Sequence, residues 1–241
     1  MNGTEPSPPI AQAEPVLRAI RPAVFTALTG AAGAREADGV LLLALAWRES
    51  RFDPTADNPA SSARGLMQFT RDTWLEMIRD HGAAQGLAAS AAVIETDRAT
   101  GAVSVRDPRL LTEILALRDD PRLSAAMAAA RLDRARDRLA DVLDRPLTNA
   151  DLYLAHFLGP AGAQRFIRQL ARAPSHRASD YVDREVVAAN RSVFITRKGR
   201  HLSLREVYAE VGRSLSAQRA VYARLRERMT AREAIDIASA D

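Results

Sequence analysis

The sequence predicts a mainly α protein with room for one small β-hairpin, on three observations. Hydrophobic residues make up 47% of the 241 positions while aromatic residues make up only 5%, the balance of an Ala/Leu-rich helical core. Apolar stretches are repeatedly closed by Pro or Gly, the residues that end helices. Between about Ala84 and Ser104 the pattern is ambiguous, and there "TGAVSV" reads as one arm of a hairpin.

In chain order, residues 1–13 read as a flexible leader, because Pro6, Pro8 and Pro9 leave little backbone for regular structure. Residues 14–37 are helical in composition, and Pro22 predicts a kink or two short helices. Asp38 is positioned to cap the next helix, Gly39 to about Ser50, which is apolar on nearly every side and therefore reads as central. Asp53-Pro54 stops it, and "TADNPASSARG" reads as an irregular loop. A further helix is expected from Thr70, with the Thr hydroxyl as cap and Phe69 stapled to Trp74, and with Gly82 as its stop.

The stretch from Asp107 to Pro146 reads as two helices divided at Asp120-Pro121. Thr148 or Asn149 starts "ADLYLAHFLG", which Gly159 and Pro160 should end. Helices are expected after it at about 161–172, 180–189 and 203–232. Residues 14–235 thus read as a single domain, with an unassigned helical insertion around 84–146.

Cysteine is absent, which removes disulfides, thiolate catalysis and cysteine metal sites together. No apolar run approaches the roughly 20 residues of a membrane span, and the first residues lack the basic start and apolar centre of a secretory signal, so any export is expected to use another route or a signal outside this sequence. The net charge of +4 permits an anionic partner. Lys198 is the one lysine, however, and the arginines alternate with acids in "RLDRARDRLADVLDR", the pattern of a solvated helix face. There is no glycine-rich phosphate loop with a lysine, no HExxH, and His81, His156, His176 and His201 are scattered, so neither metal nor cofactor is expected.

Glu49 stands out because it continues an apolar stripe, sharing its helix face with Leu45, Ala46 and Leu42. Burial and the negative end of the helix dipole both disfavour a charged carboxylate, which is what a general acid working near neutral pH needs. The other reading open at this point is an ion pair with Arg48 or Arg51 at a fraying helix end.

The text after the acid decides between them. "ESRFDPTA" followed by "SSARGLMQFTRDT" resembles the lytic transglycosylase (SLT) family through Glu49, Ser50, Phe52, Pro54 and Ala56, then Gly65, Leu66, Met67, Gln68 and Thr73. The resemblance implies a lysozyme-like helical fold that cleaves peptidoglycan, with Glu49 as the sole catalytic acid/base. Gln68 and the Met67 backbone would then border the cleft, with Ser50 and Phe69 as further substrate-binding residues. The Gln68 amide can both donate to and accept from a sugar, or it can simply tie its loop to the first helix.

A later family pattern, Ala-Tyr-Asn-Ala-Gly, aligns with "AHFLGPAGA" through Ala155, Gly159 and Pro160, but His156 and Phe157 stand where the family has Tyr and Asn. Tyr153 lies one turn before His156, so this face still offers a phenol and an imidazole. For Tyr153, His156 and Phe157, substrate contact and core packing are both open. More loosely, residues 190–215 resemble the tail of phage-like and envelope-associated members.

The expected reaction is cleavage of the β-1,4 bond between N-acetylmuramic acid and N-acetylglucosamine to a 1,6-anhydromuramyl product. The rival readings are a non-catalytic peptidoglycan-binding or envelope-assembly component and a hydrolytic muramidase on the same fold. Peptidoglycan glycan strands are the implied partner, an envelope-spanning or phage assembly a further one, and the cell envelope or periplasm the implied site of action. Nucleic acid is not an expected partner.

Overall fold

The structure, a computed structural model, describes residues 20–33 and 35–238, excepting the side chains of 36, 37, 189 and 232–238. The expected leader, residues 1–13, lies outside the described residues. Among these, ten α-helices and one two-stranded sheet are present, the mainly α class with a single small hairpin that the composition predicts. No described helix is long and apolar enough to cross a membrane. The described chain forms two compact units, one of residues 20–131 with 222–238 and the other of Leu132–Val221.

In the first unit, α1 (Pro22–Ala32) begins at Pro22. Pro22 thus opens a helix, its missing N–H costing nothing at the first helical position, and the segment before it, where the other of two short helices is expected, lies outside the described residues. Helix α2 (Glu36–Ser50) starts earlier than the Asp38 cap predicts, with Arg35 at the cap position and Asp38 inside the first turn, 3.0 Å from the Arg35 guanidinium. Every residue from Asp38 to Ala46 is buried, so α2 is the central helix the sequence implies.

Helix α3 (Arg71–His81) is capped by Thr70, whose hydroxyl accepts from Thr73 N–H, and Gly82 closes it. Phe69 and Trp74 form the staple, with ring centroids 5.4 Å apart. After a short helix, α4 (Ala88–Ala92), strands β1 (Glu95–Thr96) and β2 (Val103–Ser104) pair antiparallel, Thr96 opposite Val103. Their turn is organised by Asp97, whose Oδ1 accepts from Ala99 N–H, Thr100 N–H and the Thr100 hydroxyl.

Helices α5 (Pro108–Ala116) and α6 (Pro121–Ala140) both open on Asp-Pro. Asp107 and Asp120 accept from the N–H groups two residues on, and the prolines again fill first-turn positions that need no donor. Between the two helices lies a single 3-10 turn, Leu117–Asp119. The buried Trp74 indole donates to Ile114 O at 2.7 Å, fastening α3 to the end of α5. In the second half of α6, Leu132, Ala135 and Leu139 are buried while Asp137 and Arg138 are exposed, the solvated charged face that the Arg/Asp alternation predicts.

The second unit is built on α7 (Asn149–Arg172), which bends at Gly159. The φ of +70° and ψ of 163° there suit glycine, and Pro160 restarts the helix, so the expected stop and restart are a kink. Helices α8 (Arg184–Ala189) and α9 (Arg191–Phe194) are short, and α10 runs from Leu204 to Ala238. The expected helix at 180–189 is split: a 3-10 turn covers Ala178–Tyr181, and Val182 and Asp183 are extended before α8.

Asp151 anchors this unit. Fully buried, it completes a capping box with Thr148, takes a bidentate pair from Arg145 at 2.8 Å for both bonds, and accepts from the Tyr208 hydroxyl at 3.0 Å. Burial alone would raise its pKa, but the Arg145 and Thr148 hydrogen bonds outweigh that and hold it below the ordinary carboxylate range. A folded pKa below the unfolded one means a stabilisation complete above about pH 4 and lost as pH falls through the folded value. Asp151→Asn should therefore cost about 3 kcal/mol near neutral pH, and the difference from wild type should shrink on acidification, as read by urea unfolding across pH 3 to 7.

Candidate functional site

The end of α2 is the most unusual backbone among the described residues. A buried helix cannot leave its last carbonyls to water, and here the chain turns back through two successive left-handed residues, Arg51 (φ 54°) and Phe52 (φ 68°). Their N–H groups donate to Trp47 O and Ala46 O at 3.2 and 3.4 Å. The Arg51 guanidinium lies 4.6 Å over the Trp47 ring, and the Phe52 ring packs 5.4 Å from the same indole. Glu49 occupies the last turn of this helix, half-buried, directly after the wholly buried stripe of Leu42, Leu45 and Ala46.

The residue after the acid links the helix to the second motif. Ser50 is buried, and its hydroxyl lies 2.8 Å from Leu66 O and 3.2 Å from Ala46 O. It serves as a tie between α2 and the 65–69 loop, which differs from the substrate contact expected of it: its one proton is taken by backbone.

That loop is a tight turn. Gly65 N–H donates to Ala56 O at 2.8 Å, and Gln68 N–H donates to Gly65 O at 3.1 Å. Gln68 is itself left-handed (φ 48°), and its side-chain amide donates to both Ala56 O and Gly65 O at 3.0 Å. Gln68 thus ties its own loop, rather than reaching the first helix, and the chemistry left to its side chain is that of the carbonyl oxygen, an acceptor.

The Met67 side chain is buried, so this residue can border a substrate only through its backbone. Phe69 corrects the sequence expectation more firmly. At 3% exposed and packed on Trp74, its ring is core, and its carbonyl already accepts from Arg64 N–H and from Arg118.

Residues without any motif hold the loop. Arg64 makes a bidentate pair with Asp119, 2.8 Å for each bond, with Asp57 3.7 Å away on its other side. Asp119 raises the pKa of this guanidinium. Arg118, 8% exposed, donates through Nη1 to Ser62 O at 2.7 Å and Phe69 O at 3.2 Å, and through Nε to Leu115 O at 3.0 Å. Burial, and then the nearby Arg64 charge, push the Arg118 pKa down.

Sequence reasoning missed this turn because the partners of Arg64 and Arg118 lie some 50 residues away and nothing local in "LRDDP" announces them. The one usable signal was the charged run itself, placed between two Asp-Pro helix starts.

Two further acids, Asp53 and Asp97, are engaged in turns. Asp53 Oδ1 accepts from Thr55 N–H and its hydroxyl at 2.9 and 2.8 Å, which holds its pKa below the ordinary value. Asp97 is likewise depressed by the hydrogen bonds of the hairpin turn.

Tyr153, His156 and Phe157 are half-buried on α7, in the second unit. The Phe157 ring stacks on Phe194 with centroids 5.9 Å apart, so one of its faces is already used in packing. The structure therefore gathers Glu49, Ser50, Met67, Gln68 and Phe69 within one compact unit and carries Tyr153, His156 and Phe157 in the other.

Gly65 gives this geometry a direct test. Its φ is +83°, and a Cβ there would collide with the Arg118 backbone carbonyl. Gly65→Ala should cost about 3 kcal/mol, from left-handed strain and overlap together, with the loss visible in thermal unfolding.

Both motifs lie inside the stretch that the Transglycosylase SLT domain family model matches, residues 27–85, which places this segment with the lytic transglycosylase SLT family of the lysozyme-like superfamily, proteins that act on peptidoglycan.

Proposed function

We propose that this protein is a peptidoglycan lytic transglycosylase that cuts the β-1,4 bond between N-acetylmuramic acid and N-acetylglucosamine, with Glu49 as its single general acid/base. The observation that carries the reading is the conjunction at Glu49. Within the SLT match, the acid ends a buried helix whose next residue is bonded to the Gly65–Phe69 loop. All three left-handed non-glycine residues among those described lie in these two segments. Backbone strain so concentrated marks a site whose surroundings over-determine its shape.

In this mechanism protonated Glu49 gives its proton to the glycosidic oxygen as the C1–O4 bond breaks. The muramyl 2-acetamido group stabilises the developing positive charge at C1, and the carboxylate left on Glu49 then takes the proton of the muramyl 6-hydroxyl. The 6-oxygen closes on C1. One proton leaves Glu49 and one returns, and no water enters.

A single acid suffices because the second nucleophile belongs to the substrate and is already close to C1. The commitments of Asp53 and Asp97 to their turns, and of Asp57 to Arg64, favour this over a hydrolytic route, which would need a second carboxylate to activate water. The Met67 backbone and the Gln68 carbonyl oxygen border the bound sugar. The site of action is the cell envelope.

Glu49→Gln should leave the melting temperature close to wild type and lower turnover of purified peptidoglycan roughly a hundredfold or more, since an amide keeps the shape but cannot give the proton. Retention of more than about a tenth of the wild-type rate would sink the assignment. The product is the sharper test. Digestion in heavy-oxygen water should yield unlabelled muropeptides ending in 1,6-anhydromuramic acid, lighter by one water than reducing ends, as read by mass spectrometry. Labelled reducing ends would make the protein a muramidase.

A further inference from the structure

We propose that the Leu117–Asp119 turn is a positioning device for glycan turnover, with Arg118 and the Arg64–Asp119 ion pair fixing the Gly65–Phe69 loop against the end of α2. The proposal rests on the reading of this loop as the border of the sugar site.

Two tethers and one close approach run from this one turn to one short loop and its entry. Asp119 grips the side chain of Arg64, the residue immediately before Gly65, with two 2.8 Å bonds. The buried Arg118 guanidinium closes on carbonyls at both ends of the loop region, Ser62 O at 2.7 Å and Phe69 O at 3.2 Å. The Arg118 carbonyl lies so near Gly65 that no side chain fits between them.

The loop needs an outside hold. Gln68 occupies a left-handed conformation that a side chain disfavours, and its amide donates only to backbone, to Gly65 O within the loop and to Ala56 O in the segment before it. Released from the turn, Gln68 would relax toward ordinary backbone angles, and the Met67–Gln68 edge would shift relative to Ser50, whose hydroxyl bonds Leu66 O. A shift of about 1 Å in groups that orient a substrate can cost on the order of a hundredfold in rate. The three residues touch backbone and one another, so they are positioning residues and not catalytic ones.

The test compares Asp119→Asn, Arg64→Gln and their combination, with Arg118→Met and Arg118→Lys as a second pair. Turnover of uncrosslinked glycan strands gives kcat and KM, and amide hydrogen exchange follows Gly65 and Gln68. The expected result is faster exchange at Gly65 and Gln68, unchanged exchange in α2 and α3, and a fall in kcat of roughly tenfold or more. The double variant should be no worse than the worse single one, because the pair acts as a unit. Arg118→Lys, which keeps a charged donor, should recover part of what Arg118→Met loses.

Wild-type kcat in Asp119→Asn and Arg64→Gln, or unchanged exchange at Gly65 and Gln68, overturns the proposal, and so does additive loss in the double variant. If an Arg118 variant fails to fold, the Asp119 and Arg64 variants decide. Glu49→Gln is run beside them. Should it keep turnover while Asp119→Asn loses it, the acid assignment falls and the positioning role stands; the reverse pattern removes the positioning role alone.

Discussion

A helix buried on every side must have its last carbonyls satisfied by protein, and most of what surrounds Glu49 follows from that one constraint. The run from Val40 to Ala46 is wholly buried, so α2 cannot fray into water. The chain instead reverses through Arg51 and Phe52 in left-handed geometry, returning two N–H groups to Ala46 and Trp47. That reversal brings the segment after Pro54 back toward the helix end, where Ser50 meets Leu66 O and Gly65 N–H meets Ala56 O. The acid and the second motif are thus neighbours for a backbone reason before any chemistry is considered.

Magnitudes separate what holds this arrangement from what merely decorates it. A left-handed non-glycine residue costs about 1–2 kcal/mol, and three of them fall in the two motif segments. The Arg64–Asp119 pair has side chains 35% and 30% exposed, so its Coulomb attraction is screened and is worth at most about 1 kcal/mol in stability. The stronger hold is Arg118. Its bonds to Ser62, Phe69 and Leu115 carbonyls are charge-assisted and at least partly shielded, so one guanidinium joins both sides of the loop region to the end of α5. The ion pair then contributes mainly direction: a bidentate fork fixes the angle of Arg64, and through it the entry of the chain into Gly65.

Much of the fold was legible in the sequence, and the legible parts share a local cause. Thr70 with the Phe69–Trp74 staple, the Asp-Pro helix starts, the Gly159-Pro160 break and the hairpin arm at Val103 are each decided by residues within one or two turns of one another. One expectation failed where local rules compete: Asp38 was read as a cap, yet Arg35 stands close enough to hold it inside the first turn.

The candidate site was legible only in part, for a physical reason. Glu49 and Gly65 were identified by type and spacing, because a family pattern records the residues that chemistry and backbone conformation demand at fixed local intervals. It does not say which way a side chain is turned. Ser50 fits the pattern as readily as Gln68 does and Phe69 directly follows it, yet the first spends its proton on backbone and the second is core.

Arg118 fits no pattern, because its role is defined by carbonyl oxygens, which every residue possesses, at the far end of a long loop closure. Backbone acceptors leave no trace in residue identity at their own positions, so a side chain that works through them is invisible from either end of the contact. For this reason the stretch from Ala84 to Pro146, blank to motif reading, carries the turn that holds the motif loop in shape.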